Sequence, residues 1–193
     1  VASHALRAQT AGIAPRAVER VWSASAAAAD NAYRAARVSR VRGFADLAYL
    51  AALVHDVGIA IVLRRFPEHA GMFETADLTL DIAAQRLDAT TGAEHAAVGA
   101  LVARNWKLPP DVVDAIRAHH DPRLAARLPD TPRRLAILLA TGRRLRDGLL
   151  DQPVERRGYP QRADAAALLG DFHAAHGHRS VRAFEQGAFD LVP

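Results

Sequence analysis

The segment spanning residues 44–63 is apolar almost all the way round, and a helix of that kind has no face it can turn to water. It has to be enclosed, so the rest of the chain must supply amphipathic partners. Its polar interruptions, Asp46, His55 and Asp56, fit a buried central helix rather than a membrane span. The partners are present. From Pro15, the residues Val18, Val21, Trp22, Ser25, Ala28, Ala29, Ala32 and Ala36 recur at helical spacing and predict one long alanine-rich helix whose small side chains permit close packing. Pro67 and Gly71 interrupt the pattern, a short helix over 78–87 follows, and Thr90-Thr91-Gly92 make a turn. A helix over 93–106 presents His95, Val98, Leu101 and Val102 along one side. Pro109-Pro110 open a helix over 111–120 that stops at Asp121-Pro122, and Pro132 opens another to about residue 147, with Leu135, Leu138, Leu139, Gly142 and Leu145 facing inward. No segment alternates convincingly as a strand would, and there is no internal repeat. The expected architecture is an all-α, multi-helix bundle.

With 193 residues, the chain has room for one sizeable core and a small appendage. The expected division is a helical domain over 1–147 and a tail over 148–193, with helices over 163–175 and 180–189 packing back. The opening residues 1–10 have helical character but no cap, as in a chain cut from something longer. Cysteine is absent, which excludes disulfides and thiolate metal sites and suits a reducing, cytoplasmic compartment. Neither a signal peptide nor a membrane anchor is recognisable. The formal charge is only +4 despite a pI near 10.3, because the basic residues are nearly all arginine; Lys107 is the one lysine. The arginine pairs 64–65, 133–134, 143–144 and 156–157 are interspersed with acids and lack interleaved aromatics. They are read as a solvated face and argue against nucleic acid as a partner.

The nine histidines carry the chemistry. His55 and Asp56 are adjacent in the central helix, His95 shares a face with Val98 and Val102, and the apolar steps through Val112, Val113 and Ile116 lead to His119 and His120. A buried imidazole needs a hydrogen-bond partner or a metal, since leaving it unpaired costs about 1–3 kcal/mol. One inward histidine is most often a satisfied core residue. Helices that each deliver an imidazole or carboxylate to one interior point are how bundles build metal sites. His4, His69, His173, His176 and His178 have no such setting and are expected at the surface.

The run Leu53-Val54-His55-Asp56-Val57-Gly58 resembles the His-Asp signature of the HD superfamily of metal-dependent phosphohydrolases. Gly92-Ala93-Glu94-His95-Ala96-Ala97-Val98-Gly99-Ala100, Trp106-Lys107-Leu108-Pro109 and Ala115-Ile116-Arg117-Ala118-His119-His120-Asp121-Pro122 resemble, in order and separation, the successive motifs of the HDOD branch of that superfamily. The resemblance covers roughly residues 18–145. It implies a metal set of His55, Asp56, His95, His119 and His120, vestigial or partly occupied. Measured against catalytic relatives, an early histidine position holds Ala24, a late Ala-Asp pair reads Ala140-Thr141, and a lysine that often follows the signature is replaced by Ile59. HDOD domains usually carry a separate helical lobe ahead of these motifs, and that lobe is expected upstream.

Losing two ligands argues against an open, water-activating metal. The resemblance therefore implies a non-catalytic bacterial signal-transduction domain that binds signalling proteins, or a nucleotide or cyclic dinucleotide. Its cofactor is either none or a single divalent transition metal. The alternative is a metal-dependent phosphodiesterase of the HD superfamily, with Glu94 or Asp121 as substitute ligands; a nucleic-acid binder ranks last.

Overall fold

The structure, a computed structural model, describes residues 14–38, 42–75 and 78–147. The expected tail helices, the opening segment 1–10, and His4, His173, His176 and His178 lie outside the described residues. Among those residues the chain forms helices and no strand, as the periodicity predicts. In order they are α1 (Pro15–Val38), α2 (Ala45–Val54), α3 (Val57–Arg65), α4 (Leu80–Thr91), α5 (His95–Asn105), α6 (Pro110–Ala118), α7 (Pro122–Arg127) and α8 (Asp130–Arg146). Short 3₁₀ turns at Arg42–Phe44 and Pro67–Phe73 precede α2 and follow α3.

The central helix is not continuous. It breaks at His55-Asp56, where Asp56 takes φ −94° and ψ 9° and its carbonyl accepts from Ile59 N at 3.0 Å, a tight-turn bond. The helix expected over 111–120 likewise ends at Ala118, leaving His119 and His120 in the turn beyond it. The helix expected over 93–106 begins only at His95. The short helix expected over 78–87 is longer: Thr79 caps it by accepting from Ile82 N at 3.3 Å, and it runs to Thr91 before Gly92, at φ 68°, closes it in the left-handed region. Thus each histidine of the signature set stands at a helix end, where one backbone hydrogen bond of the helix is free to be redirected.

Two apolar clusters hold the bundle. One joins α1, α2, α6 and α8, and includes Leu135, Leu138, Leu139 and Ile116; the other joins the start of α1 to α3, α4 and the second 3₁₀ turn around Phe73, Ile59 and Leu87. Each of these large side chains contributes about 1.5–3 kcal/mol by burial, whereas the many alanines contribute less individually and set helix spacing. Gly142 of α8 shows how close α1 comes: a Cβ there would lie 2.3 Å from Ala28 O and 2.9 Å from Ala32 N. Gly58 of α3 faces α5 still more tightly, with 1.9 Å to His95 O and 2.7 Å to Gly99 N. That crossing sets the distance between the His-Asp turn and His95.

Candidate metal centre

Three junctions converge in the interior: the α2–α3 turn bearing His55 and Asp56, the first residue of α5, and the turn after α6. One ligand atom each from Asp56, His95, His119 and His120 lies within 4.8 Å of the others. His55, Asp56, His95 and His119 are buried, and His120 is partly so. Asp56 divides its carboxylate between two sides. Oδ1 is 3.7 Å from His95 Nε2 and 3.5 Å from His119 Nε2, while Oδ2 is 3.0 Å from His55 Nε2. His55 thus faces the other carboxylate oxygen and is not one of the four that converge.

The ring orientations are fixed from behind. His55 Nδ1 meets Ala52 O at 2.6 Å and His119 Nδ1 meets Ile116 O at 2.6 Å, each carbonyl three residues back near the end of its helix. A carbonyl only accepts, so Nδ1 carries the proton in both rings. Asp88 of α4 holds His95 twice, accepting from its backbone N at 2.9 Å and from its Nδ1 at 2.7 Å. In the neutral form of each ring Nε2 keeps its lone pair, and the Nε2 atoms of His55, His95 and His119 are buried with no hydrogen-bond donor. With the rings neutral, three imidazole lone pairs face the Asp56 carboxylate. Acceptors gathered around acceptors call for a cation, and a carboxylate or carbonyl behind each histidine is the usual outer support of a metal ligand. Tetrahedral ligation at zinc-like bond lengths puts ligand atoms about 3.3 Å apart; the two Asp56 Oδ1 pairs, at 3.7 and 3.5 Å, are close to that, and the four atoms as a set lie within 4.8 Å.

Protonation agrees. Burial by itself would raise the Asp56 carboxyl, but the neighbouring His55 and His119 hold it well below the ordinary carboxylate range. Burial, reinforced by the Arg143 cation and the other imidazoles against a hydrogen bond to Asp56, brings His119 down to about 3. Burial and Arg143 likewise push His120 well below its usual value. At neutral pH these two rings are uncharged and the carboxylate is ionised, the states in which all three can ligate.

The outer positions contribute nothing to the cluster. Ala24 packs in the second apolar cluster, Ile59 is fully buried there, and Thr141 Oγ1 donates to Ile137 O at 2.9 Å within its own helix. The suggested substitute carboxylates are engaged elsewhere: Glu94 pairs with Arg117 at 3.0 Å near the surface, and Asp121 caps α7 by accepting from Arg123 N and Leu124 N. His69 is partly buried beside Phe66 rather than exposed.

Three residues escaped the sequence reading. Asp88 lies seven positions before His95, across the Gly92 turn, and could be found only by pairing helices over that turn. The other two, Asp81 and Arg143, form an ion pair. Arg143, expected on a solvated face, is buried; it donates to His119 O at 3.0 Å, places Nη2 3.2 Å from His120 Nδ1 and 3.4 Å from Nε2, and pairs with Asp81 at 2.5 Å. Burial would raise Asp81, but the Arg143 and Arg146 guanidinium groups hold it below its usual value. Arg146 also reaches Asp81, at 3.2 Å, and Asp147, at 2.7 Å.

An all-helical bundle that brings a His-Asp turn and further histidines to one interior point is an HD-like helical domain. The HDOD domain family model matches residues 2–122, well over half of the chain, and the protein belongs to that family. No curated protein and no solved structure matches the chain.

Proposed function

We propose that this HDOD domain is a non-catalytic regulatory module of bacterial signal transduction, acting by binding signalling proteins, and that Asp56, His95, His119 and His120 form a site for one divalent transition metal at most. The observation that carries this reading is the composition of the cluster. It keeps an inner set of ligand atoms with correctly oriented Nε2 lone pairs, yet Ala24 and Thr141 supply no ligand on the outer side. A phosphohydrolase needs a metal with an open position to polarise phosphate or lower the pKa of water. In this site the chain's own groups hold, orient and desolvate. A bound ion would supply cross-linking charge to the three junctions.

The second reading, a metal-dependent phosphodiesterase, is favoured by the same unpartnered Nε2 atoms and is kept as the competing outcome. Elemental analysis of untagged protein, with a phosphodiesterase assay using bis(p-nitrophenyl) phosphate and cyclic dinucleotides on the same sample, separates the two. Up to one metal per chain with no turnover is the expected result. Turnover that requires metal and disappears in Asp56→Asn, a variant chosen to preserve packing, would overturn the regulatory reading.

A further inference from the structure

Arg143 has a chemical consequence for the cluster although its helix, α8, lies beyond the residues the family model matches. Its guanidinium reaches the metal-ligand side from behind His119 and His120, touching the backbone of one and the ring of the other. Asp81, from α4, fixes it there at 2.5 Å, and Arg146 and Asp147 complete the ion-paired group. The cation is thus built in, buried and anchored; it is not a mobile surface arginine. His95, His119 and Asp56 are held by α4, α6 and the α2–α3 turn. The His120 ring lies against the Arg143 guanidinium.

We propose that Arg143 is a specificity-determining residue that limits the ligand set of the cluster: it engages His120, so that of the four convergent residues Asp56, His95 and His119 are the ligands of the bound ion. This rests on the metal-site reading above and narrows its four candidate ligands to three. A positive guanidinium beside His120 repels a divalent ion from that ligand, and a ring held against Arg143 has to give up that contact before it can ligate. With Arg143 removed, His120 becomes a fourth protein ligand. Arg143 is a positioning group throughout and takes no part in bond making.

The test is zinc titration calorimetry on the full, metal-stripped chain, with the cobalt(II) absorption spectrum as a second reading of ligand number. In the wild type, zinc binds with one site per chain; His119→Ala weakens binding at least tenfold, and His120→Ala changes it less than threefold. Arg143→Met tightens zinc at least tenfold and intensifies the cobalt spectrum toward four-coordinate geometry, and adding His120→Ala to it removes the gain. Arg143→Lys keeps the charge opposite Asp81 while losing the planar fork, so it provides a folded variant if methionine fails; its zinc affinity should rise at least threefold and become sensitive to His120→Ala. The proposal is overturned if His120→Ala harms the wild type as much as His119→Ala, if no folded Arg143 variant gains affinity, if a second zinc binds the wild type, or if neither wild type nor variants bind zinc. Failure of the non-catalytic reading would show instead as phosphodiester turnover, which these titrations do not measure.

Discussion

Gly58→Ala tests the link between helix packing and the cluster most directly. The added Cβ would sit 1.9 Å from His95 O and 2.7 Å from Gly99 N, both backbone atoms of α5. A carbon normally approaches a carbonyl oxygen no closer than about 3.3 Å, so α3 and α5 must part by roughly 1.4 Å. Overpacking costs typically about 1–3 kcal/mol, and because no flexible side chain can absorb this clash, a loss near 3 kcal/mol is expected. For a chain of this size that lowers Tm by about 6–12 °C. His95 is carried by the same backbone, so its 3.7 Å separation from Asp56 widens and zinc affinity falls at least tenfold. Gly71→Ala is the control, since nothing lies within 4 Å of its Cβ position; it should leave stability unchanged or raise it by about 0.4–1 kcal/mol. Urea and thermal melts of both variants, with zinc titration, give the comparison. A Gly58→Ala protein melting within 2 °C of the wild type, with unchanged zinc affinity, would refute the claim that this crossing fixes the site.

Two further outcomes are expected. His119 is brought from 6.5 to about 3 on folding, so the unfolded chain binds the extra proton between those values; its contribution to stability is complete above about pH 6.5 and declines as pH falls toward 3. Metal-free protein should lose roughly 2 kcal/mol between pH 7 and pH 5 from this ring alone, with His120 adding in the same direction, and urea midpoints that do not fall over that interval would contradict the assignment. Asp88→Ala removes the acceptor for both the backbone N and Nδ1 of His95; it should cost about 1–2 kcal/mol as a lost helix-start acceptor and weaken zinc about 10–100-fold. Unchanged urea midpoints and zinc titrations would remove Asp88 from its supporting role.

The all-helical class was legible because apolar residues recur at helical spacing around a segment with no polar face, and the structure has that arrangement. His95, His119, His120 and Asp56 were legible as a group because they belong to local motifs. What periodicity could not show is where helices stop. The 44–63 segment continues its apolar pattern straight through His55-Asp56, and only the backbone of Asp56 reveals the break. The partners that orient the rings were also hidden. Asp88 and Asp81 look like ordinary polar positions on an amphipathic helix, and Arg143 was indistinguishable from its neighbour Arg144 until α8 was laid against the turn after α6. Side chains that act across helices leave no local spacing to read.

The position of α8 bears on where this folding unit can be divided. The family model matches residues 2–122, yet among the described helices α1 packs along α8 more extensively than along any other. A fragment ending at residue 122 would keep all four convergent ligands and lose Leu135, Leu138 and Leu139 from the core, together with the arginine that grips His119 and His120. Its α1 would present a bare stripe containing Ala28, Ala29 and Ala32 to water, inviting self-association. The matched region is therefore shorter than the core it contributes to, and a boundary for dissecting this protein should fall no earlier than the end of α8 at Arg146.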